Sequence, residues 1–343
     1  MNSVVTRHPA ASLLASLLLF SSPLFAANQS EQRVDKIEAF QSPLWVENSN
    51  GITAGFAGQA LGPNDTIRTG PNGKVLLRLA DGSVVKLGNG AVLKRDIQGF
   101  DASASVAPST ALTNKVIASE TAPNQAPVNQ VTASPAASAE PVEKDLYRGA
   151  LAVVEGAFRY STTLLSAQYR RALTIKTGNV ATIGIRGTDL WGRVTSDSSF
   201  VALIEGNIGI TTTDGTETRL DKPLLAFQAD QNSPSGKRFA VELEDVLALA
   251  PETELDQGEG ILVKNGPFAV HLTSFSHEGE AVSLRNQLLK QGYAADTSNF
   301  STSQQPWFRV SVRGFASLAD ARSFSAMTKA QGMANSPWVD NNH

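Results

Sequence analysis

The sequence predicts a multidomain chain: an all-β body split by an unstructured insertion, then a small α+β module of the split βαβ type. Three observations predict it. Short aliphatic and β-branched runs separated by tight-turn dipeptides fill 34–99 and 142–249, the pattern of strands joined by turns. Residues 100–141 are dominated by Ala, Ser, Thr, Pro, Asn and Gln and cannot bury enough apolar surface to offset ordering. Across 267–340 the apolar period changes from 2 to 3.6 and back, and does so twice.

The 343 residues suit two or three domains, and 41% hydrophobic content is enough for packed cores. A net charge of -3 gives no basic footprint for duplex nucleic acid. With no cysteine, disulfides, thiol catalysis and zinc-thiolate sites are excluded.

Taken in order, Arg7 precedes an apolar run, Leu13–Phe20, broken by Pro23, and Ala26 supplies a small residue for cleavage. Residues 1–26 read as a secretory signal too short to span a bilayer. No cysteine follows, which excludes lipoprotein attachment. The expectation is an exported, periplasmic protein with no stable membrane insertion after signal cleavage.

In the β body, Val75–Leu79, Val84–Leu87 and Ala91–Leu93 are separated by Pro-Asn-Gly, Asp-Gly and Gly-Asn-Gly. Those turn residues predict antiparallel or coil-stacked strands. Asp65 and Asp81 fit turn chemistry better than metal binding, so no metal site is expected. After the insertion, the runs from Leu146, Ala172, Phe200 and Lys222 each read as a strand or strand pair. Gly184 and Gly187 flank Ile185-Arg186, but no Gly-Lys-Ser/Thr and no helix follows, so a phosphate loop is excluded. Phe239–Leu249 reads as a short helix or strand, and the acidic, turn-rich 250–266 as a linker.

In the terminal module, Phe268–Phe275 alternates as a strand, and Ala281, Leu284, Leu288 and Leu289 recur at helical spacing up to Gly292. Trp307–Phe315 alternates again, a helix follows over about Leu318–Ala330, and a short strand is expected near Trp338. An extra strand over Tyr293–Phe300 completes β-α-β-β-α-β. Helices cover only one face of so small a sheet. Alternation then puts His271, Thr273, Trp307, Arg309 and Arg313 on the open face. Ser274 joins them only if a bulge intervenes. An aromatic among arginines and small polar groups suits a long, polar, partly apolar ligand. A glycan strand and a single-stranded nucleic acid both fit.

The motifs FAVHLTSF (Phe268–Phe275), QLLKQGY (Gln287–Tyr293) and WFRVSVRGF (Trp307–Phe315) resemble the SPOR domain, an envelope module that binds peptidoglycan glycan strands stripped of stem peptides. His271 stands where that family usually has glutamine, Thr273 where it has glycine, and Arg313-Gly314 where it has Gly-Pro. The resemblance implies denuded glycan as ligand. Trp307 would lie along a sugar face, with His271, Ser274, Arg309 and Arg313 hydrogen-bonding its substituents. The segments Gly62–Gly88, Thr182–Leu190 and Ala202–Ile210 are similar to the FecR domain, which implies a solenoid- or sandwich-like β scaffold and an envelope partner. The cytoplasmic part and central membrane helix of FecR-type regulators have no counterpart here.

Of four histidines, only His271 and His277 lie outside the signal and the last position, and neither has a carboxylate at useful spacing. Glu155 and Glu205 fit surface charge better than a glycosidase pair. The expectation is a non-enzymatic adaptor without cofactor or nucleic-acid partner. The alternatives are a periplasmic sensor of an envelope signalling system and a wall hydrolase.

Overall fold

Turn residues set the first half of the body. β1 (Lys36–Gln41), β2 (Leu44–Asn48), β3 (Gly51–Ala54), β4 (Thr66–Thr69), β5 (Lys74–Arg78), β6 (Val84–Leu87) and β7 (Val92–Phe100) are short. They form two antiparallel ladders, β3-β2-β4-β7 and β1-β5-β6. Asp81 closes the β5–β6 turn by accepting the Ser83 N–H at 2.9 Å and the Ser83 hydroxyl at 2.8 Å. Asp65 accepts the Gly62 N–H at 2.8 Å. Both aspartates are thus turn residues, and Asp81 also pairs with Arg171 at 2.5 Å.

This computed structural model describes residues 33–101, 145–178, 180–301 and 305–341. The expected signal segment, 1–26, lies outside the described residues, as does the expected insertion from 102 onward. Phe100, expected to begin that insertion, instead ends β7, with its ring 5.3 Å from Tyr147 and 4.9 Å from Tyr169. The chain leaves at Asp101 and returns beside it, since the Asp101 N–H donates to the Leu146 carbonyl at 3.0 Å.

The strands that follow include longer ones: β8 (Leu146–Ser161), β9 (Arg170–Thr177), β10 (Ala181–Val194), β11 (Ser198–Thr212), β12 (Glu217–Leu220), β13 (Leu225–Asp230) and β14 (Ser233–Ala240). One edge of β8 pairs with β7 and then β6; the other pairs with β9 and then β10. Strands shared between ladders must bend, and glycine lets β10 and β11 do so together. Gly206 has φ +87, and a Cβ there would lie 2.1 Å from the Gly187 carbonyl oxygen, far inside contact distance. Coil stacking needs parallel ladders, but among the described strands only β8–β9 is parallel. The body follows the antiparallel alternative. Phe239–Leu249 resolves into both expected forms, the end of β14 and helix α1 (Leu243–Leu249).

Two buried ion pairs lie inside this β structure. Asp35 pairs with Arg95 and accepts the Tyr147 hydroxyl at 2.9 Å. Burial, then the neighbouring Asp35 charge, pushes the Tyr147 pKa well up, so the phenol remains a donor.

The terminal module contains β15 (Ile261–Val263), β16 (Phe268–Phe275), α2 (Glu278–Lys290), β17 (Ala295–Ser301), β18 (Pro306–Phe315), α3 (Leu318–Ala330) and β19 (Trp338–Asn341). Its antiparallel sheet has the order β17-β18-β16-β19. Ser317 caps α3 by accepting the Asp320 N–H at 3.1 Å. Val270, Leu272, Val310 and Val312 are buried with Ala281, Leu288, Ala321 and Phe324.

Residues 250–266, expected as a linker, are bound along both modules. Glu254 pairs with Lys86 and Arg159, and Lys74 donates to the Pro251 and Glu254 carbonyls. Asp320 accepts the N–H groups of Gly258, Gly260 and Ile261. β15 pairs with both β1 and β18, so the two ladders are continuous. The acidic residues that suggested a solvated linker meet cations distant in sequence. Val34–His343 form one compact unit.

Candidate functional site

Directly opposed residues of an antiparallel ladder share a face, so the register assigns the open face of the terminal sheet. Trp307 opposes Phe300, and Arg309 opposes both Ser298 and Ser274. Ser311 opposes Asp296 and His271, and His271 opposes Trp338. Arg313 opposes Ala269, which in turn opposes Asp340. Of the expected site residues, this brings together His271, Ser274, Trp307, Arg309 and Arg313.

Thr273 does not join them. A register shift between His271 and Thr273 places Thr273 opposite the buried Val310, on the helix-covered side. The extra residue at Leu272 reverses the alternation beyond it. The same bulge carries Ser274 onto the open face, the condition the sequence set for it.

His271 lies in the floor of the open face. It is 3% exposed, its Nδ1 lies 2.7 Å from the Ser311 hydroxyl, and its ring centroid is 5.0 Å from that of Trp338. Burial, then the positive charges of Arg309 and Arg313, pushes its pKa down, while Asp340, 3.8 Å from Nε2, opposes the shift. The ring is therefore neutral near pH 7 and supports Trp338 from below. Trp338, whose ring lies against that of His271, is 39% exposed.

Arg309 links the aromatics. Its guanidinium carbon lies 4.3 Å from the Phe300 ring centroid and 5.1 Å from that of Trp338, within cation–π range. Its Nε is buried without a hydrogen-bond partner, and among the described residues no carboxylate pairs with it. Two rings hold the guanidinium plane in place and leave its charge to the face. Sequence reasoning missed Phe300 and Trp338. Both fell in expected strands, but their partners depend on strand order, which alternation does not supply.

An open sheet with an exposed tryptophan, half-buried rings, a fixed guanidinium and small hydroxyls is the kind of shallow surface that suits an extended polar ligand. Residues 264–339 match the SPOR domain family model. A SPOR domain is a peptidoglycan-binding kind of domain, found in envelope-associated proteins. No FecR family model matches the β body. No curated protein matches the chain. Two crystal structures of a candidate anti-sigma factor from Parabacteroides distasonis are similar at 11% identity, with TM-scores of 0.34 and 0.33. Each match covers 78% of this chain, and 91% and 92% of the respective structures. Likeness at that level sets neither fold nor role. Among the described residues no helix is long and apolar enough to cross a membrane.

Proposed function

We propose that this protein is a non-catalytic periplasmic adaptor. Its terminal sheet binds peptidoglycan glycan strands stripped of stem peptides, and its β body is a scaffold for an envelope partner. The observation carrying this reading is the Phe300–Arg309–Trp338 stack on the open face, inside the segment that matches the SPOR family. Sugar rings present C–H faces to aromatic planes and hydroxyls to serines and guanidinium groups. Such binding needs no cofactor.

The test is pelleting of the full chain with sacculi, intact and after amidase removal of stem peptides. Retention that rises on stripping is expected, with no soluble muropeptides released. Release of muropeptides would make the protein a hydrolase. Absence from both pellets would remove the glycan ligand and bring the sensor alternative forward.

A further inference from the structure

We propose that the glycan-binding surface does not end at the terminal sheet but continues through Arg313 onto the β body, where Phe56, together with Lys264 from the loop after β15, holds the next, carboxylate-bearing sugar of the strand. This rests on the glycan reading above. Beside the last open-face residue of β18 lies a hollow of about 380 Å³, lined in part by Phe56, Lys264, Asn265, Ala294 and Arg313. Arg313 belongs to both surfaces, because it stands on the open face and also lines the hollow. Ala294 precedes Ala295, which opposes Val312, so the ladder brings the start of β17 to the same place.

The far wall is shared between the β body and the loop after β15. Phe56 follows β3 and is 55% exposed, an unusual position for a phenylalanine. Its backbone is fixed by donation of its N–H to the Gln59 side-chain oxygen at 3.1 Å. The Lys264 stem lies against Gly58, where a Cβ would sit 2.8 Å from the lysine Cδ. The pairing of β15 with β1 sets the two walls in a fixed relation, so the hollow exists before any ligand arrives.

The chemistry selects the ligand. An exposed ring beside two cations accepts a sugar face together with an anion. Amidase hydrolysis of a stem peptide leaves a lactyl carboxylate on the sugar, so a denuded strand carries such anions at intervals. From Trp307 to Arg313 the strand spans roughly 20 Å, so a disaccharide covers only part of the surface.

The experiment is titration calorimetry of the full chain with a stem-free disaccharide and with a long stem-free oligosaccharide, repeated for Phe56→Ala and Lys264→Gln. Both side chains are exposed, and melting temperatures confirm folding. The wild type should bind the long ligand more tightly. Each variant should weaken the long ligand by about fivefold and leave the disaccharide unchanged. Wild-type binding with neither variant affecting the long ligand would overturn the extension and leave the glycan reading intact. Equal weakening of both ligands would also overturn it. Failure of the wild type to bind either ligand would remove the glycan reading, and the extension with it.

Discussion

Trp338 covers His271 and flanks Arg309, so it holds the guanidinium in plane, and on the glycan reading proposed above it is the ring that meets a sugar face. Its truncation to Ala should cost about 1–2 kcal/mol of glycan binding, the range for an aromatic contact at a binding site. Trp307→Ala should cost less, since no ring or cation contact is observed for Trp307 among the described residues. Equal affinity of Trp338→Ala and wild type in a sacculus-binding isotherm would take the stack out of the site. His271 sets a pH dependence. Its folded pKa is depressed by burial and by Arg309 and Arg313, while in the unfolded chain it takes up a proton near pH ~6.5. Between the two values the unfolded state binds more protons, so stability falls as pH falls through that window and is complete above it. His271→Gln retains a partner for Ser311 without a titrating ring. The wild type should therefore lose more melting temperature than the variant between about pH 7.5 and pH 5. Identical slopes would mean that the ring is not desolvated in solution.

At the scale of elements, the segment between β body and terminal sheet depends on Asp320. This buried carboxylate accepts N–H bonds at 2.8, 3.1 and 3.1 Å from Gly258, Gly260 and Ile261. Asp320→Ala leaves three backbone donors unpaired and should lower unfolding stability by about 3 kcal/mol; Asp320→Asn, which retains an acceptor, should lower it less. Urea unfolding distinguishes these outcomes, and a loss within error for Asp320→Ala would show that the segment is not held there. None of this attachment could be read from the sequence. Glu254 meets Lys86 and Arg159, which lie 168 and 95 residues away, and local composition does not reveal such pairings. The open face was legible where alternation suffices: β18 displays Trp307, Arg309 and Arg313 as its period of two requires. It was illegible where one extra residue decides, as at Leu272, or where strand order decides, as for Trp338. The β body divides similarly. Turn dipeptides marked the hairpins, whereas the sharing of β8, β10 and β11 between ladders follows from long-range pairing around a few glycines.

For the whole molecule, the question is whether the two modules act as one body. A single hydrophobic cluster runs from Ile37 and Phe40 in β1, through Leu262 in β15, to Phe315 and Phe324 of the terminal module. Trp45 of the β body donates its Nε1–H to the Lys290 carbonyl at 3.0 Å, and the Leu44 N–H donates to the Gly292 carbonyl at 2.9 Å. Gly292 has to be glycine at this contact. Its φ is +82, and a Cβ would sit 2.7 Å from the Trp45 indole. The residue that ends α2 is therefore also where the modules touch. With cluster, ladder and hydrogen bonds all crossing the junction, thermal unfolding should be a single transition with equal calorimetric and van't Hoff enthalpies. Trp45→Ala should lower the midpoint of that one transition, with a loss of about 2 kcal/mol for a partly buried ring, rather than release one module early. Two resolved transitions in the wild type would mean that the open face moves independently of the β body. The surface shared through Arg313 could not then be preformed, and residues 250–266 would act as the linker that their composition suggested.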